Sequence, residues 1–201
     1  MTETNQRWLE TILLENQRFR QRIAPEKLPV QRTPGSLAVI TCMDPRVNLE
    51  AIGLPGFTPQ GEGTSPVRII RAIGAMAEPR SLLIGIFLAG IREVAVLMHS
   101  DCGGCLAFAK IDTIIENMEK RLTPSQWQAC QATIGEPFRE RLRDWLKAFA
   151  EPRAALRKEI AAIKSLPFIP DDVLFHGLLY DLASGRVEVV VNGYDRTLET
   201  R

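Results

Sequence analysis

The sequence predicts an α/β domain built on a mainly parallel central β-sheet flanked by helices. Two short apolar runs, Leu37 to Thr41 and Val94 to Met98, are unbroken rather than alternating, the pattern of strands covered on both faces. Helical patterns lie between the candidate strands, so the order alternates as βαβ units require. The two runs end directly at Cys42 and at His99. Ligands in open α/β sheets sit beyond the carboxyl ends of strands, so these two residues mark a candidate site.

The elements follow in order. Residues 4–23 predict a helix, with Trp8, Leu9, Ile12, Leu13 and Phe19 near helical spacing among Glu, Gln and Arg. A proline-rich connection (Pro25, Pro29, Pro34, Gly35) precedes the first strand. Residues 53–66 hold Gly53, Pro55, Gly56, Pro59, Gly61, Gly63 and Pro66, which predicts an irregular loop. Val67 to Ile70 resumes a strand. Pro79 stands where it can open a helix running to Ala89, which Gly90 stops. After the strand ending at His99, Gly103 and Gly104 lead into another helix. Residues 111–164 are helical and charged, punctuated by Pro124, Gly135-Glu136-Pro137 and Pro152. Leu174 to Tyr180 and Val187 to Val191 read as strands joined by Ala183-Ser184-Gly185. The expected organisation is one domain over 1–201, with an N-terminal helical arm over 1–30. A helical insertion spans 111–164, its extra part around 111–150.

Composition narrows the function classes. The 201 residues are 45% hydrophobic and 24% charged, and 25 basic against 24 acidic side chains leave a net charge of +1. That balance provides no electrostatic footprint for nucleic acid, and no basic run suggests a membrane surface. No stretch approaches the roughly 18 apolar residues of a membrane helix. The polar start MTETNQRWLE lacks the marks of a secretory signal, so the expected compartment is the cytoplasm. There, four cysteines (Cys42, Cys102, Cys105, Cys130) read as ligands, catalysts or core rather than as a disulfide framework.

Chemistry concentrates in two segments, Cys42-Met43-Asp44-Pro45-Arg46 and His99-Ser100-Asp101-Cys102. Two thiolates and one imidazole suit zinc, and three protein ligands leave a fourth tetrahedral position for water. A lone H-x-x-C is a weak signal. Placed after one buried strand, with a cysteine and an acid–base pair after another, it is a strong one. The Gly-rich loop carries no nucleotide fingerprint, so no organic cofactor is implied.

The pair C-x-D-x-R and H-x-x-C followed by Gly-Gly resembles the β-class carbonic anhydrases. Arg71-Ala72-Ile73-Gly74 sits where that family has an Arg-Asn-Ala-Gly-like turn. Ile91-Arg92-Glu93-Val94, and Ser165 to Pro170 before the last two strands, also match its pattern. The resemblance covers residues 37–110 and 160–192. It implies that Cys42, His99 and Cys102 ligate Zn2+, and that Asp44 and Arg46 form the dyad orienting a metal-bound water or hydroxide that hydrates carbon dioxide to bicarbonate. A zinc bearing two thiolates has no net charge, so its pull on a water proton is weak, which gives a held carboxylate work to do. Arg46 keeps Asp44 ionised by charge pairing. Were that pairing lost, the Asp44 carboxylate could take the fourth zinc position, as some family members allow. The resemblance further implies a homodimer or a higher even-numbered homo-oligomer, with the N-terminal helix against the partner. Pro45 and Ala72 depart from the family, where Ser or Ala and Asn are usual.

Rival readings stand beside this one. Relatives of the family hydrolyse carbonyl sulfide or carbon disulfide with the same ligands. A zinc-bound but inactive chain acting in assembly is a second rival. Cys102-Gly103-Gly104-Cys105 is a C-x-x-C at a helix start, the setting of thioredoxin-like redox sites, and makes the third. Ser100 and Asp101 read as turn and helix-capping residues, and Cys105 as packed on its helix's inner face. Cys130 reads as incidental, and His176 as a satisfied sheet histidine. Trp127 and Trp145 read as core or interface anchors. Val67, Ile69 and Phe87 are candidates for an apolar pocket, with ordinary core the preferred reading.

Overall fold

The computed structural model describes residues 3–22, 35–54 and 67–195. Its centre is a five-stranded sheet in the order β2-β1-β3-β4-β5: β1 Leu37–Cys42, β2 Val67–Ala72, β3 Glu93–His99, β4 Leu174–Tyr180 and β5 Val187–Val191. The pairs β1–β2, β1–β3 and β3–β4 are parallel, and only β4–β5, joined by a tight turn, is antiparallel. The mainly parallel sheet read from the apolar runs is therefore present. Residues 38–42 of β1 are all buried, as are 96–99 of β3, which explains why neither run alternates.

The helices are α1 Glu3–Arg22, α2 Pro79–Phe87, α3 Gly103–Ala109, α4 Ile111–Arg121, α5 Pro124–Ile134, α6 Phe138–Trp145 and α7 Pro152–Lys164. Proline opens α2, α5 and α7 at the first turn, where its missing N–H is no loss. Glu78, Thr123 and Glu151 cap those helices through their side chains. Helix α2 stops at Phe87, two residues before the expected Ala89. Gly90, at φ 76°, then turns the chain so that the Ile91 N–H reaches back to the Gly85 carbonyl. Strand β2 runs two residues beyond its expected end, because Arg71 and Ala72 stay in register with Thr41 and Cys42. The proline-rich connection before residue 35 and the loop over 55–66 lie outside the described residues.

Helix α7 packs on β3, β4 and β5. It comes near at Gly177 of β4, where a Cβ would stand 2.9 Å from Ile160 and 3.1 Å from Leu156. Helices α4, α5 and α6 pack chiefly on one another, outside the sheet layer. Helix α1 carries Trp8, Leu9 and Leu13 exposed at 66%, 55% and 62%. The N-terminal part of its apolar stripe is thus exposed on the monomer.

Two expectations about apolar residues need correction. Val67 is half-buried and packs against the core, as expected, whereas Ile69 and Phe87 are 46% and 64% exposed and are not ordinary core. Strand β2 is an edge strand, and Phe87 stands on the outer side of α2. Trp127 meets Phe138 edge-on at 5.1 Å between ring centroids, but Trp145 is 69% exposed, which removes the core reading of it and leaves the interface one.

Candidate metal centre

Because β1 and β3 are neighbours in the sheet, their carboxyl ends emerge side by side. Cys42 is the last residue of β1 and His99 the last of β3. Cys102 follows a two-residue turn and caps α3, its Sγ accepting from the Gly104 N–H at 3.4 Å. Topology thus gathers three residues distant in the chain. Their ligand atoms all lie within 4.8 Å of one another, and all three residues are buried.

The donor set fits a tetrahedral metal. Cys42 Sγ and Cys102 Sγ stand 3.9 Å apart as free thiols. Two Zn–S bonds of the usual length at a tetrahedral angle place sulfurs about 3.8 Å apart. His99 is fully buried, and its Nδ1–H donates to the Ser100 carbonyl at 2.8 Å. That bond fixes the tautomer, leaving the Nε2 lone pair for a metal. Nε2 has no hydrogen-bond partner among the described residues. A buried polar atom without a partner is costly unless something not made of protein satisfies it. Burial first, and then the neighbouring Cys42 sulfur, push the Cys102 thiol up to about 12. A divalent cation is what makes two adjacent buried thiolates tolerable.

Around these atoms lies a network of main-chain and side-chain bonds. The Arg71 guanidinium donates to the carbonyls of Cys42 (2.9 Å) and Val47 (3.3 Å), which fixes the loop after β1. In that loop Asp44 Oδ1 accepts from the Arg46 N–H at 2.9 Å, and the Asp44 carbonyl accepts from the Val47 N–H at 3.2 Å. Pro45 therefore sits second in a turn, a position that suits its ring and asks for no N–H. The Arg46 side chain returns to Asp44, with Nη2 at 2.7 Å from Oδ2 and Nε at 3.0 Å from Oδ1. Those hydrogen bonds hold the Asp44 carboxyl far below the ordinary carboxylate range. On the other side, the Ser100 N–H donates to the Tyr180 carbonyl and its Oγ accepts from the Leu182 N–H, both at 2.9 Å.

Two readings of the second segment change. Cys102, rather than Ser100 or Asp101, caps α3. Ser100 instead ties the β3 terminus to the segment after β4, and Asp101 accepts from Arg46. A fixed ligand spacing in the sequence does not show which of its residues caps the helix. Cys105 is half-buried and packs against the core, as expected for the inner face of α3. His176 accepts from the Gly193 N–H at 3.1 Å through Nδ1. Its Nε2 lies 3.0 Å from Glu93 Oε1, but off the line of a good N–H···O bond.

Phe149, in the connection between α6 and α7, is a contact that the sequence did not reveal. Its ring lies against Gly74 and Gly104, so that a Cβ at these positions would stand 2.8 Å and 2.6 Å from it. The helical insertion thereby touches both the turn after β2 and the first turn of the helix that Cys102 caps.

No family model matches the chain. Among curated proteins it is 28% identical over 194 residues to YtiB of Bacillus subtilis, whose name marks it as a provisional carbonic anhydrase; the match covers 93% of this chain and 98% of that one. It is 25% identical over 162 residues to the carbon disulfide hydrolase of Acidithiobacillus thiooxidans, covering 76% and 71% of the two chains. Among solved structures, the β-carbonic anhydrase isoform I of Trichomonas vaginalis superposes with a TM-score of 0.71 at 25% identity, over 96% of this chain and 100% of that one. By sequence and by fold together, the chain is similar to the β-class carbonic anhydrases.

Proposed function

We propose that the chain binds one zinc ion through Cys42, His99 and Cys102 and catalyses the reversible hydration of carbon dioxide to bicarbonate. The observation that carries this reading is the buried triad itself: two sulfurs 3.9 Å apart and an imidazole Nε2 with no partner among the described residues, beside a hydrogen-bonded Asp44–Arg46 pair. Zinc, when bound, supplies the Lewis acidity that makes water a nucleophile near neutral pH.

The chain's own residues do the rest. Asp44, ionised and 16% exposed, accepts a hydrogen bond from a water proton and so directs an oxygen lone pair at substrate. Arg46 fixes the orientation of that carboxylate, engaging Oδ2 through Nη2 and Oδ1 through Nε. The Ser100 carbonyl holds His99 in the tautomer that ligates. Residues 1–201 act as one domain bearing the 111–164 helical insertion. The exposed stripe on α1 supports a homodimer or higher even-numbered assembly, with that stripe against the partner. Among the described residues no helix is long and apolar enough to cross a membrane, which agrees with a cytoplasmic enzyme.

Stopped-flow hydration of carbon dioxide, with metal analysis on the same sample, tests the proposal. One zinc per chain with fast hydration is the expected result. Zinc without turnover of carbon dioxide would refute it. A second reading, hydrolysis of carbon disulfide or carbonyl sulfide at the same centre, is favoured by the similarity to a named carbon disulfide hydrolase. The same sample assayed on carbon disulfide separates the two. The thiol pair 3.9 Å apart is Cys42–Cys102 rather than Cys102–Cys105, which weighs against a redox site.

A further inference from the structure

We infer that Asp101 is a positioning residue that holds Arg46 against Asp44, closing a bracket between the two loops that carry the metal-binding triad. Arg46 is half exposed, and Asp44 lies only two residues before it, so that pair alone does not tie it to the rest of the site. The second anchor comes from the loop after β3. Arg46 Nη1 donates to Asp101 Oδ2 at 2.8 Å, and Nη2 donates to the Asp101 carbonyl at 3.0 Å. The guanidinium is thus gripped on one edge by Asp44 and on the other by Asp101, a fork geometry that only a planar side chain can satisfy.

The backbone is bent to make this grip. Asp101 has φ 52°, a left-handed conformation that aspartate tolerates better than most residues. An exposed Asp–Arg pair contributes little to stability, and Asp101 is 82% exposed. The consequence of the contact is therefore geometric. It limits the swing of Arg46 and hence of the Asp44 carboxylate beside the triad.

The test uses Asp101→Gly, which removes the carboxylate while relaxing the left-handed backbone, and Asp101→Asn, which keeps an acceptor and tolerates that conformation. On metal-free, 15N-labelled protein, the Arg46 Nε–H resonance, assigned by its loss in Arg46→Lys, is followed by solvent exchange. Exchange should speed up about tenfold in Asp101→Gly, the scale of one lost charge-assisted hydrogen bond, and return most of the way in Asp101→Asn. On zinc-loaded protein, and resting on the hydration reading above, kcat should fall about tenfold in Asp101→Gly, with KM and zinc content unchanged. Unchanged Arg46 exchange overturns the inference, and so does loss of zinc from Asp101→Gly, which would make Asp101 a support of the ligand loop instead. If the wild-type chain hydrates no carbon dioxide, the proposed reaction fails, while the exchange arm still decides the bracket.

Discussion

Replacing Gly104 with alanine should strain the contact between the helical insertion and the helix that Cys102 caps. The new Cβ would stand 2.6 Å from Phe149 Cε1 and 3.0 Å from Cζ, distances that force the ring to move. Phe149 is 9% exposed, and its N–H points at the Gly104 carbonyl at 3.4 Å, so it has little room to yield. Overpacking of this kind costs about 1–3 kcal/mol. The gain in helix propensity from Gly to Ala, at most about 1 kcal/mol, offsets part of that. A net loss of about 1–2 kcal/mol follows. Phe149→Ala alone should cost about 3 kcal/mol by leaving a cavity. In the double variant the clash is gone, so Gly104→Ala should become neutral or mildly stabilising, with a coupling of about 1–3 kcal/mol. Urea unfolding of the four proteins, compared at constant m, measures the cycle. If Gly104→Ala costs the same with and without the Phe149 ring, the steric account is wrong, and the insertion does not bear on the site through this contact.

Cys42→Ser should lose zinc by metal analysis, Asp44→Ala should keep zinc and lose hydration, and Cys105→Ala should do neither. Zinc affinity should rise with pH, with the Cys102 thiol alone contributing about tenfold per pH unit below its value of about 12, because binding expels its proton; competition with a chelator at several pH values reads this, and a flat profile would contradict it. Glu159, 6% exposed, accepts from the Ala77 N–H at 2.8 Å and from Lys147 Nζ at 3.1 Å, so Glu159→Ala should destabilise the fold by about 2–3 kcal/mol in chemical denaturation, mostly through the unsatisfied amide. Glu78 is held down to about 2, chiefly by the Arg80 hydrogen bond, so its contribution is complete above 4.5 and disappears as pH falls from there to about 2. Glu78→Gln should therefore flatten acid unfolding in that window alone.

How much of this was legible in the sequence depends on the range over which each residue is determined. The strands ending at Cys42 and His99 could be read because parallel strands buried on both faces leave unbroken apolar runs, and the chemistry of two thiols and an imidazole does not depend on neighbours. The helix start at Pro79 and the breaks at Pro124 and Pro152 were equally local. The role of Asp101 was not, because the sequence separates it from Arg46 by 55 positions and gives no sign of its left-handed backbone. Phe149 was hidden for the same reason: a phenylalanine amid charged helices reads as an amphipathic stripe, and only the fold shows that two glycines on other elements make room for its ring. The exposure of Ile69 follows from β2 lying at the sheet edge, a fact of strand order that no local pattern encodes. The triad was written in residue types, whereas the groups that hold it in place are set by pairing across the sheet. Those distant contacts, Asp101 to Arg46 and Phe149 to Gly104, are therefore where substitutions outside the triad should alter its geometry without removing a ligand.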